Sequence, residues 1–170
     1  VSILLDGSLT KIERDRIFVI YIIAFFVIFF WAAYEQAGAS LTLFAAEQTD
    51  RTILGWEMPA SWIQSFNPFF VVILAAIIPS VWGGNKRGME PASPTKQAIG
   101  LLLLSLGYLV ICFGVKDVQP GVKVSLIWLT GLYFIHTMGE IALSPIGLSM
   151  VNKLTPVRFA SLMMGIWYLS

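Results

Sequence analysis

The sequence predicts an all-α protein that crosses a membrane several times, and its composition and its recurring uncharged stretches support this fold class. Apolar residues make up 57% of the 170 positions, charged residues make up 12%, and the mean hydropathy is +0.79. A water-soluble domain of this length usually carries about twice that share of charge. Several stretches are long enough to cross about 30 Å of hydrocarbon as helices, and they lack the alternation of half-buried strands.

Five spans are predicted in chain order, at about residues 17–46, 61–84, 97–115, 125–151 and 159–170. The first contains Glu35 as its one acidic residue and would be about 45 Å long as a single helix, so it is expected to tilt. The second follows a polar loop and carries Asn67 and Pro68 near its start. A turn rich in glycine and proline separates it from the third. Pro145 and its neighbours interrupt the fourth, and the fifth begins at Phe159.

Basic residues are distributed unevenly between alternate loops, which predicts the orientation of the chain. One side of the predicted membrane carries eight of them: Lys11, Arg14, Arg16, Lys86, Arg87, Lys96, Lys153 and Arg158. The other side carries three: Arg51, Lys116 and Lys123. The first side is therefore expected to face the cytoplasm, in a cell membrane. Because these residues lie in short loops rather than along one face, no nucleic-acid partner is expected.

Two carboxylates, Glu35 and Glu140, lie inside predicted spans, where no Lys or Arg accompanies them. A charged side chain at membrane depth costs roughly 2.5–3.5 kcal/mol on insertion scales, so something must offset it. The partner is expected to be another segment, a cation on a substrate, or a proton. A proton would bind and leave as a cationic partner departs and returns, which is the coupling that a symporter needs. The alternative is that each protonated acid simply hydrogen-bonds a neighbouring helix.

Helical spacing places polar residues in one stripe on each of these two spans. Trp31, Glu35, Gly38 and Thr42 share one face of the first span, and His136, Glu140 and Ser144 share one face of the fourth. Such stripes are expected to face a bundle interior or an aqueous cavity rather than lipid. Counting residues along each helix places Glu35 about 27 Å from the inner end and Glu140 about 22 Å from the outer end, which predicts different depths.

Other polar or aromatic residues in the spans leave structural and functional interpretations open. His136 is either a proton relay for Glu140 or a histidine bonded to a neighbouring helix. Trp31 and Trp167 lie deep in their spans, where they either line a pocket or pack among apolar side chains. Pro145 deprives the carbonyl of Ile141 of its helical donor, and this predicts a bend there.

Three runs of sequence resemble the proton-dependent oligopeptide transporter family of the major facilitator superfamily. They are residues 30–38 (FWAAYEQAG), residues 64–68 (QSFNP), and residues 139–149 (GEIALSPIGLS) followed by 153–156 (KLTP). The resemblance covers nearly the whole chain and implies the C-terminal half of the major facilitator fold. Residues 1–170 would then run from just before helix seven into helix eleven, and their partner would be an N-terminal half of six helices in the same protein.

The resemblance also implies roles for particular residues. Glu35 matches an acid of the family's outer gate that takes part in proton coupling. Glu140 matches an acid that receives the amino terminus of the peptide and also serves in coupling, and Asn67 matches an asparagine that hydrogen-bonds the peptide. Substrate-binding positions are further expected at Trp31, Ser144, Trp167 and Tyr168.

The family resemblance predicts proton-coupled symport of di- and tripeptides by alternating access, with protons as coupling ions and no other cofactor. The alternatives are a carrier of another small solute, such as nitrate, an amino acid or a drug, and a membrane subunit that transports nothing. An anion carrier would have less use for an acid at position 140. An enzyme is not expected, since one His, one Cys and two separated acids supply neither a nucleophile–base pair nor a metal-ligand cluster.

Overall fold

The computed structural model describes residues 3, 7–83, 91–116, 118–119 and 121–170. The α-helices are α1 (Lys11–Tyr34), α2 (Ser40–Glu47), α3 (Phe66–Gly83), α4 (Ser93–Val115), α5 (Leu126–Leu154) and α6 (Ala160–Tyr168). Short 3₁₀ turns occupy Glu35–Gly38, Ala60–Ser65 and Val157–Phe159. The β-strands have two residues each: β1 (Thr49–Asp50), β2 (Thr52–Ile53), β3 (Trp56–Glu57) and β4 (Val124–Ser125). The predicted all-α class is confirmed.

Within the described residues, four helical segments are long and apolar enough to cross a membrane: Lys11–Glu47, Ala60–Ile78, Ser93–Val115 and Leu126–Leu154. They correspond to the first four predicted spans, and α6 occupies the position of the fifth. The predicted turn around Lys86 and Arg87, and the end of the second span at Gly84, lie outside the described residues. The third span begins earlier than predicted, so that Lys96 lies within α4 and is buried rather than in a loop.

The first span is not the continuous helix that its apolar sequence predicts. It breaks at Glu35–Gly38, which forms a 3₁₀ turn, and Ala39 leaves helical geometry with φ −118° and ψ −92°. Carbonyl groups near the break accept hydrogen bonds from side chains on other helices: Ala33 from the Tyr108 hydroxyl at 2.6 Å and Ala37 from the Tyr133 hydroxyl at 3.4 Å. Such partners compensate for backbone bonds that a broken membrane helix cannot make.

The most extensive packing joins α4 to α5 through a glycine seam, which consists of Gly100, Gly107 and Gly114 on α4 and Gly139 on α5. A Cβ atom added at Gly107 would lie 2.3 Å from Cδ2 of His136, and one added at Gly139 would lie 2.9 Å from the carbonyl oxygen of Gly100. Small residues let membrane helices approach until their backbones touch. Pro145 interrupts neither this contact nor the helix, since α5 runs through it to Leu154.

The predicted outer loops meet in a small cap. Strand β1 pairs in parallel with β4, with Thr49 opposite Val124, while β2 and β3 form an antiparallel hairpin. The turn of the hairpin has positive φ at both Leu54 (50°) and Gly55 (83°). A hydrogen bond of 3.0 Å from the backbone N–H of Thr52 to Asp50 Oδ1 lowers the pKa of the Asp50 carboxyl below its ordinary value.

On the predicted inner side, Arg158 connects the segment after α5 to the segment that precedes α1. The Arg158 guanidinium, just after α5, donates to the side-chain and backbone oxygens of Ser8 at 2.9 and 3.0 Å. It also lies 3.5 Å from Glu13 Oε2. Thr10 and Glu13 form a capping box that begins α1 at Lys11 rather than at Ile17. The loops before α1 and after α5 therefore lie on the same side, as the alternating topology predicts.

Candidate functional site

A set of hydrogen bonds at Glu140 joins three helices, and we call it the bridge; it consists of Tyr34, Asn67 and Glu140. The hydroxyl of Tyr34, at the end of α1, donates to Glu140 Oε2 at 2.5 Å. The amide Nδ2 of Asn67, in the first turn of α3, donates to the same carboxylate oxygen at 2.9 Å. It also donates to the Tyr34 hydroxyl oxygen and, at 3.2 Å, to Thr137 Oγ1 on α5.

Local sequence explains why the members of the bridge meet. Asn67 lies at the start of α3, where the following Pro68 is tolerated because first-turn N–H groups have no helical acceptor. The ring of Tyr34 stacks on Phe30 at 5.5 Å, and Trp31 meets it edge-on at the same centroid distance. The Tyr34 hydroxyl is therefore directed at α5 by aromatic neighbours on its own helix.

Neutral donors thus bond one carboxylate oxygen of Glu140, Oε2. Within the parts of the chain that the structure describes, no Lys or Arg forms an ion pair with Glu140 or Glu35. Each hydrogen bond from a neutral donor offsets part of the loss of hydration that membrane burial imposes. These contacts of Glu140 with α1 and α3 agree with the alternative of an acid that hydrogen-bonds neighbouring helices, and the protonated form that this alternative assumed stays a prediction.

Glu35 is exposed and takes no part in the bridge. It lines a cavity of about 240 Å³, which we call the second cavity, together with Tyr34, Ala37, Gly38, Gln64, Asn67, Tyr133 and His136. The residue next to Glu35, Tyr34, contacts Glu140 directly, and the different depths of the two glutamates stay a prediction. The count for Glu35 started at Ile17, whereas α1 begins at Lys11; the count for Glu140 started at Ser125, which directly precedes the first residue of α5, Leu126.

A larger cavity, which we call the first cavity, has a volume of about 370 Å³. Its lining consists of Trp31, Leu143, Ser144, Leu148, Trp167, Tyr168, Leu169 and Ser170. Trp167 is buried against α5, where Gly147 makes room for it: a Cβ there would lie 2.2 Å from Cζ2 of the indole. Tyr168 is mostly exposed, with 74% of its surface accessible.

The structure divides the predicted site residues between the two cavities. Trp31, Ser144, Trp167 and Tyr168 line the first, whereas Glu35 and Asn67 line the second. Glu140 is not among the residues that line these two cavities, but its bridge partners Tyr34 and Asn67 line the second, and Ser144, one turn further along α5, lines the first. The predicted stripe of Trp31 and Glu35 is accordingly split, since the break after Tyr34 changes the helical phase.

His136 is buried, and its Nε2 lies 3.1 Å from the backbone carbonyl oxygen of Leu104 on α4. A carbonyl oxygen only accepts, so Nε2 carries a proton and donates. Its ring also packs against Tyr108 with centroids 4.8 Å apart. The interpretation of a histidine bonded to a neighbouring helix is thus the one that the contacts favour.

Tyr34 and Thr137 were not identified as site residues from the sequence. Tyr34 follows a run of aromatic residues, which indicates packing and does not reveal the direction of one hydroxyl. Thr137 lies one position outside the predicted stripe on α5 and is fully buried. The available signal was the spacing of Thr137 and Glu140 at i and i+3, which places both side chains over adjacent turns of one helix face.

The described residues contain no group of three or more His, Cys, Asp or Glu side chains that could hold a metal ion. The polar groups that converge at the site are instead an accepting carboxylate, an amide and hydroxyl groups. This set suits hydrogen bonding to a polar molecule that carries an ammonium group and peptide amides.

The sequence profile described as the POT family matches residues 8–170. Among curated proteins, the chain is 36% identical over 165 residues to the peptide transporter YePEPT of Yersinia enterocolitica subsp. palearctica, covering 95% of this chain and 32% of that protein. It is 33% identical over 157 residues to dipeptide and tripeptide permease A of Escherichia coli K12, covering 92% and 31% of the two chains.

Solved structures of POT transporters contain the same arrangement of helices as this chain. A crystal structure of a peptide transporter POT in complex with sulfate superposes with a TM-score of 0.89 at 35% identity, covering 98% of this chain and 33% of the other. A POT family transporter in complex with 5-aminolevulinic acid gives a TM-score of 0.83 at 30% identity, with coverages of 96% and 34%. The chain spans about a third of the length of the relatives it matches.

Proposed function

The chain belongs to the POT family of integral membrane transporters, and from that premise we propose that the protein containing it carries di- and tripeptides across a cell membrane together with protons. We further propose that residues 1–170 are part of the C-terminal half of that transporter, from helix seven into helix eleven. The described helices would pack against an N-terminal half to enclose the substrate. The curated relatives include a dipeptide and tripeptide permease, which favours peptides over another small solute.

The observation that carries the proposal is that Glu140 bonds Asn67, which lines the second cavity, and lies one helical turn from Ser144, which lines the first. An acid at this depth can meet the ammonium of a peptide, and an amide beside it can hydrogen-bond the peptide backbone. Charge-assisted hydrogen bonds of this kind are about twice as strong as neutral ones. Asn67 lies on α3 and Glu140 lies on α5, so a substrate that bonds both side chains would bind at the interface between these two helices.

The first cavity supplies space for the side chains of the peptide. Its wall combines the indoles of Trp31 and Trp167 with the phenol of Tyr168 and the hydroxyl of Ser144. Aromatic walls accept side chains of varied size through apolar contact and do not demand one partner geometry. A carrier of many dipeptides needs this tolerance, whereas the shared ammonium and amide groups of its substrates can be recognised by Glu140 and Asn67.

Proton coupling is proposed for Glu35 and Glu140 because each can exchange a proton as a cationic partner arrives or departs. Glu35 is exposed in the second cavity, so a basic group of the remaining chain could reach it. Alternating access would follow from rocking of the two halves around a site near the midplane. The partner half, the lipid bilayer and the coupling protons are thus the proposed partners, and neither nucleic acid nor a further cofactor is among them.

The test is uptake of a labelled dipeptide into liposomes that contain the full-length protein, driven by an inward proton gradient. Wild type should accumulate the dipeptide, and dissipating the gradient should abolish accumulation. Glu140→Gln preserves the shape of the side chain but removes its charge, so uptake should fall by about tenfold to a hundredfold, the range expected for a lost charged hydrogen bond.

Glu57→Gln, in the predicted outer hairpin, is the matched control, because it makes the same chemical change at an exposed carboxylate. Its uptake should equal that of wild type. Unchanged uptake in Glu140→Gln would remove Glu140 from the peptide site. Absence of gradient-driven uptake in folded wild-type protein would overturn the proposed function itself.

A further inference from the structure

We propose that Tyr34 is a positioning residue that holds the carboxylate of Glu140 for a free amino terminus, and so sets the preference of the site for peptides with an unblocked amine. This inference rests on the proposed function and concerns the same site. Glu140 was implied by family resemblance, whereas Tyr34 enters through geometry alone. Its hydroxyl donates to Glu140 Oε2 at 2.5 Å, the shortest of the distances between donor and acceptor that involve this carboxylate.

Both donors of the bridge fall on one oxygen of Glu140. The Tyr34 hydroxyl and the Asn67 amide bond Oε2, while no donor among the described residues bonds Oε1. An ionised carboxylate offers about four lone-pair directions over its two oxygens. The bridge therefore fixes the orientation of the carboxylate through Oε2 and leaves Oε1 able to accept from an incoming ammonium.

The hydroxyl can serve this purpose because its ring cannot turn freely. Phe30 stacks against one face of Tyr34 with an interplanar angle of 17°, and Trp31 meets it edge-on. The imidazole of His136 lies 6.1 Å away, and His136 is itself fixed by its bond to Leu104 and by the space at Gly107. A donor held by packing loses little side-chain entropy when substrate binds, so it can preorganise the acid.

Trp31 connects this positioning to the first cavity. Its indole contacts Tyr34 on one side and forms part of the cavity wall on the other. In this proposal, a peptide whose side chain occupies the first cavity presents its amino terminus to Oε1 of a carboxylate whose orientation the bridge already fixes. A peptide with an acetylated amine has no ammonium to offer, and it would gain nothing from this orientation.

The experiment compares two ligands on purified full-length protein in lipid nanodiscs: Ala-Ala and N-acetyl-Ala-Ala. Calorimetry measures the Kd of each ligand for wild type and for Tyr34→Phe, which removes the hydroxyl and keeps the ring. The affinity for Ala-Ala should fall about tenfold, the lower end of the effect of a hydrogen bond to a charged group. The affinity for N-acetyl-Ala-Ala should change by less than about twofold. Uptake should show a raised KM with the maximal rate retained.

Tyr108→Phe is the matched control. It removes a phenolic hydroxyl that bonds the carbonyl of Ala33 in the neighbouring turn, yet it does not touch Glu140. If these tyrosines had a purely structural role, both variants would weaken the binding of Ala-Ala and of N-acetyl-Ala-Ala by the same factor. The proposal requires that only Tyr34→Phe reduces the difference in Kd between Ala-Ala and N-acetyl-Ala-Ala.

An equal loss for both ligands, an unchanged Kd for Ala-Ala, or tighter binding of Ala-Ala by Tyr34→Phe would each overturn the inference. Tighter binding would mean that the hydroxyl competes with the substrate and does not position the acid. A wild-type protein that neither binds nor transports Ala-Ala would instead refute the proposed function, and this inference would fall with it. Thermal unfolding of each variant verifies that the proteins compared are folded.

Discussion

The bridge and the glycine seam both join α5 to neighbouring helices, but they do so by opposite means. At the bridge, side chains meet through hydrogen bonds around a half-buried carboxylate, and one carboxylate oxygen keeps its acceptor capacity. At the seam, glycines bring backbone and ring atoms together without any side chain between them. Hydrogen bonds can be exchanged for bonds to a ligand, whereas close packing cannot be loosened without creating voids. Binding is therefore expected at the bridge and rigidity at the seam.

The largest expected effect is at the seam. Gly107→Ala places a methyl group 2.3 Å from Cδ2 of His136, which is closer than real Cβ contacts allow. Since His136 is buried and bonded to Leu104, its ring cannot move aside cheaply, and we expect a loss of about 2–3 kcal/mol of stability. Thermal unfolding of the full-length protein in detergent measures it.

Gly165→Ala on α6 is the control for that change. No described atom lies within 4 Å of a Cβ added there, so its stability should stay within about 0.5 kcal/mol of wild type. If both variants unfold at the same temperature, the seam is not a rigid contact and the contrast with the bridge is lost.

An intermediate effect is expected at Gln97, whose buried side-chain amide lies on α4 beside the seam. Neither its Oε1 nor its Nε2 has a hydrogen-bond partner in the described part of the chain. An unsatisfied buried polar group costs about 1–3 kcal/mol, so Gln97→Leu should stabilise the protein by about 1 kcal/mol. The midpoint of thermal unfolding should rise. A fall would show that a residue outside the described chain bonds this amide.

The smallest effect is expected at the edge of the bridge. Thr137 accepts from Asn67 at 3.2 Å and donates to the carbonyl of Tyr133 at 2.7 Å. Thr137→Val preserves the shape and removes the hydroxyl, but Asn67 retains its contacts with Tyr34 and Glu140. We expect the stability of the folded protein to fall by about 0.5–1 kcal/mol, measured by the same unfolding assay. A loss as large as that of Gly107→Ala would mean that the bridge is as rigid as the seam.

The sequence predicted the spans better than it predicted their irregularities. Apolar length is an additive property, so it indicates where each of the first four spans lies, although α1 begins at Lys11 and α4 begins at Ser93, each earlier than predicted. The break at Glu35–Gly38 could not, because no proline marks it and because its stabilising donors, Tyr108 and Tyr133, come from distant helices. Lys96 was placed in a loop since a charge was taken as the end of a span, although α4 buries it.

The candidate site was predicted as a set of residues but not as an arrangement. The resemblance named Glu140 and Asn67, and the structure brings them together; their roles in binding, like those of Glu35, Trp31, Ser144, Trp167 and Tyr168, stay predictions. Tyr34 was missed because the orientation of a phenol depends on its neighbours in space. Sequence patterns report which side chains are costly at membrane depth, and contacts across helices decide which partners satisfy them.

The first span is fastened at its two ends and interrupted between them. Arg158 secures its inner end to the segment after α5, and the pairing of β1 with β4 secures its outer end to the start of α5. Between these two fixed ends, the regular α-helical hydrogen bonds are interrupted at the 3₁₀ turn Glu35–Gly38. Glu35 therefore lies on the one segment of the span where the helical hydrogen-bond pattern is broken, and Tyr34 lies at the end of the regular helix before it.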